Sequence, residues 1–375
     1  MGRYIAGLLG GLESIAAAEG RRDPVEAFSV RRLFGPGAAP PGGPDAPPAN
    51  SRWLLAARRL AKAAPGGYLA AEFARAALLE RARREGAIDL FHETNHAAPP
   101  ARLPVVLTVH DLCTLLFPET QDPARARHFA QSLRRRARRA SRVIAPTQAI
   151  ADQLVELLGL ERARVHAIHH GVDPALLAQA AQAERPAALG AAGVNGPYLL
   201  FVGALEPRKG LPTLLDAYDA LPAAAARAFA LVLAGPPDRI DAPLAARLCR
   251  PRDGHIAQLG YTRPADLPGL YRHASALVLP SIYEGFGLPL LEALACGVPC
   301  AISDDPSLVE VAGGAALISP RGDAAALASS MDQLLGSSQL RSSLIARGLA
   351  RTSGFRWEQS ARAHLAVYRA AAGSP

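Results

Sequence analysis

Hydrophobic residues in this chain fall into short, dense blocks separated by longer stretches of helical spacing. The first set of blocks covers residues 88–93, 104–110, 142–146 and 165–169. The second covers residues 198–202, 230–235, 255–260, 276–280 and 299–303. Blocks of this length, rich in Val, Ile and Leu and bounded by Gly or Pro, read as buried strands. Strands that alternate with helices imply parallel sheets covered on both faces. The pattern therefore predicts an α/β protein of two Rossmann-like parallel-sheet domains. A stretch rich in Ala and Gly between about residues 173 and 197 reads as the linker. Residues 35–50, dense in Pro and Gly, read as a mobile loop inside the first domain. From Trp357 to Arg369 helical spacing returns. The domains expected are residues 1–177, residues 178–355 and a C-terminal helical segment, 356–375.

One segment joins this architecture to chemistry. Residues 281–292 read Ser-Ile-Tyr-Glu-Gly-Phe-Gly-Leu-Pro-Leu-Leu-Glu, following a strand and opening a helix that Gly297 ends. Gly285 and Gly287 let the backbone approach a ligand, and the free N–H groups of the new helix favour an anion there. Glu284 in the turn and Glu292 in the helix can face one pocket. A phosphate at the helix end, with hydroxyls on the carboxylates, describes a nucleotide sugar. An ordinary surface loop with a dipole-favoured glutamate remains the alternative on spacing alone.

The two glutamates, with seven residues between them and Glu-Gly-Phe-Gly-Leu-Pro starting at the first, resemble the signature of retaining glycosyltransferase family 4. Residues 201–210, Phe-Val-Gly-Ala-Leu-Glu-Pro-Arg-Lys-Gly, are similar to its phosphate-binding segment. The segments at 259–261, 267–271 and 295–299 follow in the family's order. The resemblance runs through most of the chain and is strongest from Tyr198 to Asp323. It implies the GT-B architecture, two domains facing across a cleft, with the C-terminal helix crossing back onto the first. It also implies roles for individual residues. Arg208 and Lys209 would neutralise the donor diphosphate, Arg as a fork and Lys as a point charge. Gly285, Phe286, Gly287 and Leu288 would line the anion site, and Tyr261 would lie near the base. Glu292 would take the ribose hydroxyls and Glu284 those of the transferred sugar. His110, at a strand end, would sit beside that sugar. Asp111 and Thr147 are weaker candidates on the same wall, and His170 and Asp173, near the hinge, are structural first. The chain departs from the family where an arginine often follows the glycine, since Ala204 stands there. Family members also open with a strand and a glycine-rich turn before Gly-Arg-Tyr. Here Met1 directly precedes Gly2-Arg3-Tyr4, which brings the activity of the chain as written into question.

The expected function is transfer of a hexose, mannose or rhamnose, to a glycan or lipid-linked acceptor in bacterial surface polysaccharide synthesis. GDP-mannose is the first donor expected. A nucleotide-sugar epimerase of similar fold and a non-catalytic assembly subunit are the alternatives. No Asp-x-Asp pair flanks a strand to hold a divalent ion on the diphosphate, so catalysis without metal or cofactor is expected. A dinucleotide dehydrogenase is disfavoured, because no Gly-x-Gly-x-x-Gly joins an early strand to a helix.

Composition narrows the setting. Half of the residues are hydrophobic and 20% are charged, which suits a globular chain. The four cysteines form no zinc-ligand pattern, and a reducing cytoplasm fits them. Residues 1–12 have only the outline of a signal peptide, because the apolar run meets Glu13. The formal charge is +8 and the pI about 9.7, which favours an anionic partner. Eight arginines between residues 123 and 142, with no acid among them, interleave with Phe129, Leu133 and Ala137. They form either a solvated helix face or a contact with an anionic membrane at the cytoplasmic side. Nucleic acid is not expected, since no recognition-helix, zinc-finger or stacking motif accompanies the charge.

Overall fold

The structure, a computed structural model, describes residues 2–20, 76–77, 79–94, 102–118, 123–237, 240, 242–250, 252 and 254–373. The Pro/Gly-rich stretch at 35–50 lies outside them. Two parallel sheets form two lobes. The first holds β1 (Phe91–Glu93), β2 (Val105–Thr108), β3 (Arg142–Ala145) and β4 (Val165–Ala167), in that spatial order. The second holds β5 (Tyr198–Val202), β6 (Ala230–Ala234), β7 (Ile256–Gly260), β8 (Ala276–Leu279), β9 (Cys300–Ser303) and β10 (Leu317–Ser319). Every ladder in both sheets is parallel. The nine strands expected from apolar blocks are present. β10 escapes that pattern because it is three residues long with Ile318 exposed.

Burial explains why the blocks are apolar throughout rather than alternating. All five residues of β5 and all four of β2, β8 and β9 are buried, since helices cover both faces. The linker stretch is not coil. It folds into helices Pro174–Ala180 and Ala187–Ala191, the first capped by Asp173. The chain returns to the first lobe through helix Trp357–Ala372, which packs on the N-terminal helix Gly2–Ala18 and on β2. Where the two crossings meet, Val172 N donates to Phe355 O at 2.9 Å.

In the second sheet the order is β10-β9-β8-β5-β6-β7. From β5 the chain moves outward to β6 and β7, then returns to the other side of β5 with β8. The order therefore reverses between β5 and β8. The crevice beyond the carboxyl ends of strands at such a reversal is where open α/β sheets bind ligands.

Candidate active site

The loops leaving β5 and β8 are pressed together at that reversal. Gly210 has φ +70°, and a Cβ there would lie 2.0 Å from the Pro280 carbonyl oxygen. Only glycine allows the two turns this approach. Ile282 N donates to Arg208 O at 2.8 Å and locks them in register. Lys209 Nζ then reaches Glu284 Oε1 at 2.6 Å, and Ser281 Oγ donates to the same oxygen at 2.9 Å. Arg208 pairs with Glu206 at 2.7 Å, stands 3.9 Å from Glu284 and donates to Tyr283 O at 3.1 Å. Burial works against the Arg208 charge, but the adjacent Glu284 and Glu206 raise its pKa overall. Two cations and two carboxylates thus interlock in a site with little solvent. Charges there act strongly and need no reorganisation.

Glu284 is positioned from behind by Asp305, whose Oδ2 accepts from Glu284 N at 3.2 Å. The other oxygen of Asp305 caps helix Pro306–Ala312 through Ser307 N and Leu308 N. Burial pushes the Asp305 carboxyl up to about 6, against the opposing pull of these backbone donors. Gly287, at φ +86°, then starts helix Leu288–Ala295, with Pro289 in its first turn and Gly297 in the left-handed region beyond its end.

The two acidic side chains do not share one environment. Glu292 is buried in helix Leu288–Ala295, where the Tyr271 hydroxyl donates to Oε2 at 2.8 Å and the Arg3 guanidinium pairs with Oε1. Glu292 lines a cavity of about 710 Å³ with Arg3, Asp173, Leu288, Arg356 and Trp357, whereas Glu284 is outside that lining. Glu284 instead meets Lys209 and Ser281. Gly285 makes its close approach to protein. A Cβ there would lie 2.0 Å from His110 O, so the turn meets the first lobe directly.

Across this contact stand residues of the first lobe. His110 follows β2, and its Nε2 donates to Thr94 O at 2.9 Å. Thr147 caps helix Gln148–Leu158 and donates to Gly285 O at 3.2 Å. Asp111 accepts from Cys113 N at 2.9 Å. His170 is buried and stacks on Trp357, with ring centroids 5.7 Å apart, and Phe286 lies 4.6 Å away on the same imidazole. Tyr261 is 72% exposed after the edge strand β7, separated from β5 by β6, and the structure does not bring it to the cluster.

Two further residues, Tyr283 and Glu310, close the lobes, and the sequence reading passed over them and over Asp305. The Tyr283 hydroxyl accepts from Leu112 N at 2.8 Å and donates to Gln153 at 2.9 Å. Glu310 accepts from Gln148 N at 2.8 Å, Ala149 N at 3.0 Å and His169 Nε2 at 2.7 Å. A carboxylate at a helix N-terminus is favoured by the dipole and by the free N–H groups there. Burial opposes the Glu310 charge, but these donors lower its pKa overall. Asp305 was findable, since Asp-Pro-Ser before an apolar run is an N-cap signal. Glu310 and Tyr283 act across lobes, and no local pattern shows that.

Among the described residues no cluster of His, Cys, Asp or Glu could hold a metal ion. Two parallel-sheet lobes meet over an Arg-Lys-Glu cluster at a strand reversal, which is the GT-B architecture.

Comparison with known proteins agrees. The model described as glycosyl transferases group 1 matches residues 190–351, and that of Glycosyltransferase Family 4 matches residues 21–176. The O-antigen chain mannosyltransferase B of Escherichia coli is 32% identical over 281 residues, 75% of this chain and 74% of that protein. The serotype-specific mannosyltransferase WbdA of Escherichia coli is 31% identical over 271 residues, 70% of this chain but 32% of that longer protein. By fold, the chain is similar to a sucrose-phosphate synthase from Thermosynechococcus elongatus (TM-score 0.62, 22% identity, 87% of this chain and 81% of that one). A UDP-forming trehalose-phosphate synthase from Burkholderia xenovorans is similar at a TM-score of 0.64, with 17% identity over 81% of this chain and 78% of that one. The chain belongs to glycosyltransferase family 4, and it is a glycosyltransferase.

Proposed function

We propose that this enzyme transfers a hexose, with retention, from a nucleotide-diphosphate sugar to a glycan or lipid-linked acceptor of a bacterial surface polysaccharide. GDP-mannose is the donor proposed, on the strength of the two mannosyltransferase relatives. The observation that carries the reading is the meeting of Lys209, Arg208 and Glu284 where β5 and β8 reverse their order. A diphosphate entering there takes over the cations. Glu284, released from Lys209, turns to hydroxyls of the sugar, and Glu292 takes those of the ribose. His110 hydrogen-bonds the same sugar from the opposite lobe. Backbone N–H groups at residues 285–288 add to the anion site.

The bond from the sugar's anomeric carbon to phosphate breaks as the acceptor oxygen bonds to that carbon from the same face. The departing phosphate oxygen takes the acceptor's proton. Lys209 and Arg208 stabilise the negative charge that develops on it, the largest contribution such a site makes. Glu284→Gln is expected to lower transfer from GDP-mannose to an α-mannoside acceptor by about a hundredfold or more. Unchanged turnover rejects the assignment, and epimerised donor without an acceptor product rejects the reaction class.

The reading places the enzyme in the cytoplasm, against the inner face of the membrane. Helix Pro123–Arg139 supports this, because Leu133 and Ala137 are buried while Arg134, Arg135, Arg138 and Arg139 are exposed. No helix among the described residues is long and apolar enough to cross a membrane. Each basic residue at an anionic surface contributes about 1 kcal/mol. Co-flotation with phosphatidylglycerol vesicles, lost when those four arginines become serine, is the expected result. Equal flotation of both proteins rejects the contact.

A further inference from the structure

Beneath His110 lies a polar chain that sugar transfer as described does not use. Its direction is fixed at one end. His364 Nδ1 lies 2.7 Å from the backbone carbonyl oxygen of Ser360, which can only accept, so Nδ1 carries the proton. In the neutral ring Nε2 is then an acceptor, and it takes the Tyr4 hydroxyl hydrogen at 2.9 Å. The Tyr4 oxygen accepts from Thr108 Oγ1 at 3.1 Å. Thr108 accepts from His92 Nε2 at 2.7 Å, and His92 Nδ1 accepts from the Tyr368 hydroxyl at 2.7 Å. Every member donates forward, and the chain closes on a main-chain acceptor without a conflict. Burial keeps it neutral. His364 is pushed down to about 4 and His92 well below its usual range, while Tyr4 and Tyr368 are raised.

The chain ties four elements together. Tyr4 comes from the N-terminal helix, His92 from β1, Thr108 from β2, and His364 and Tyr368 from the crossing helix. At its centre the Tyr4 ring stands almost perpendicular to that of His110, with centroids 4.8 Å apart and planes at 79°. On its other contacts Tyr4 meets His170 at 4.9 Å and Trp357 at 6.2 Å. Around His110 stand the Thr94 carbonyl at Nε2, the Tyr4 ring and, with centroids 5.9 Å apart, the His170 ring. A ring held by its own hydroxyl on two sides cannot slide, and what packs on it inherits that fixity.

We infer that Tyr4 is a positioning residue for His110, and that the hydrogen-bonded chain anchored on the crossing helix is what fixes Tyr4. The inference rests on the placement of His110 beside the transferred sugar. Tyr4 acts through its ring and touches neither donor nor acceptor. Displacing a catalytic group by about 1 Å can cost a hundredfold in rate.

The test is Tyr4→Phe, which keeps the ring and removes the hydroxyl, assayed by transfer from GDP-mannose to an α-mannoside acceptor. The expected result is a fall in kcat of about tenfold to a hundredfold, with KM for the donor within about twofold of the wild type. Thr108→Val removes the same link at conserved volume and carries the test if Tyr4→Phe does not fold. The decisive comparison is the pair with His110→Ala. In that background Tyr4→Phe is expected to cost nothing further in kcat, because the group it positions is gone. An unchanged kcat in Tyr4→Phe, or an equal loss with and without His110, overturns the inference and leaves the proposed reaction standing. Full activity in His110→Ala alone overturns the role of His110, and this inference with it.

Discussion

Gly285→Ala is the most direct test of whether the closed lobes are the working arrangement. The backbone at Gly285 is outside the left-handed region, so alanine is permitted there on conformational grounds. What it meets is the first lobe, with the new Cβ 2.0 Å from His110 O and 3.0 Å from His110 C. Ordinary contact begins at 3.4 Å. The turn carrying Glu284 and the strand end carrying His110 must then part by roughly 1.4 Å, because close-packed interiors have no slack to absorb the methyl. Groups that must act on one sugar are separated by more than the displacement that costs about a hundredfold. The expected outcome is a loss of transfer on that order, with the helical circular dichroism signal retained. Gly336→Ala, where no atom lies within 4 Å, is the control and is expected to keep full activity. If Gly285→Ala transfers sugar within about threefold of wild type, the contact between Gly285 and His110 is not part of the active geometry, and the reasoning fails.

Two further outcomes follow from the groups behind this contact. Asp305 has its carboxyl raised from 3.8 to about 6 by burial, so its contribution to stability is fully present below the unfolded value and is lost as pH rises through the folded one. Asp305→Asn keeps the one acceptor oxygen that caps Ser307 and Leu308, gives up the acceptor facing Glu284 N, and cannot ionise. It should remove a decline on the order of 3 kcal/mol between about pH 4 and pH 6, read as urea midpoints. Parallel profiles for the two proteins contradict this. Glu310 has the opposite sign, since its lowered carboxyl supports closure above the unfolded value and loses that support as acid protonates it. Glu310→Gln should weaken closure by about 1–2 kcal/mol and raise the small-angle scattering radius at neutral pH. An unchanged radius argues against the latch.

The architecture was legible because its signal is local. A strand buried on both faces must be apolar at every position, and β5, β8 and β9 announce themselves in four or five letters. That the turns carrying Glu284, Arg208 and Lys209 belong to one site was legible for a different reason, although the pairing of Lys209 with Glu284 was not. Glycines and prolines at 203, 210, 285, 287 and 289 leave the two turns few shapes. What stayed hidden depends on distance along the chain. Nothing in residues 148–152 says that Gln148 and Ala149 await a carboxylate from Glu310, and nothing near Tyr4 points to His364. Tyr261 was read from its motif alone. It follows the outer strand of the sheet and is exposed, a placement that no local pattern foretold.

The paired crossings at Val172 and Phe355 carry a mechanical consequence. Both lengths of chain that join the lobes are hydrogen-bonded side by side, with Trp357 wedged so tightly that a Cβ on Gly7, Gly11 or Gly171 would collide with it. The two halves therefore turn on one axle rather than swinging freely on two tethers. Parting them breaks the contacts at the mouth, Gly285, Tyr283 and Glu310, while the bearing itself stays seated. Any opening of the cleft is expected to move its rim about that seam.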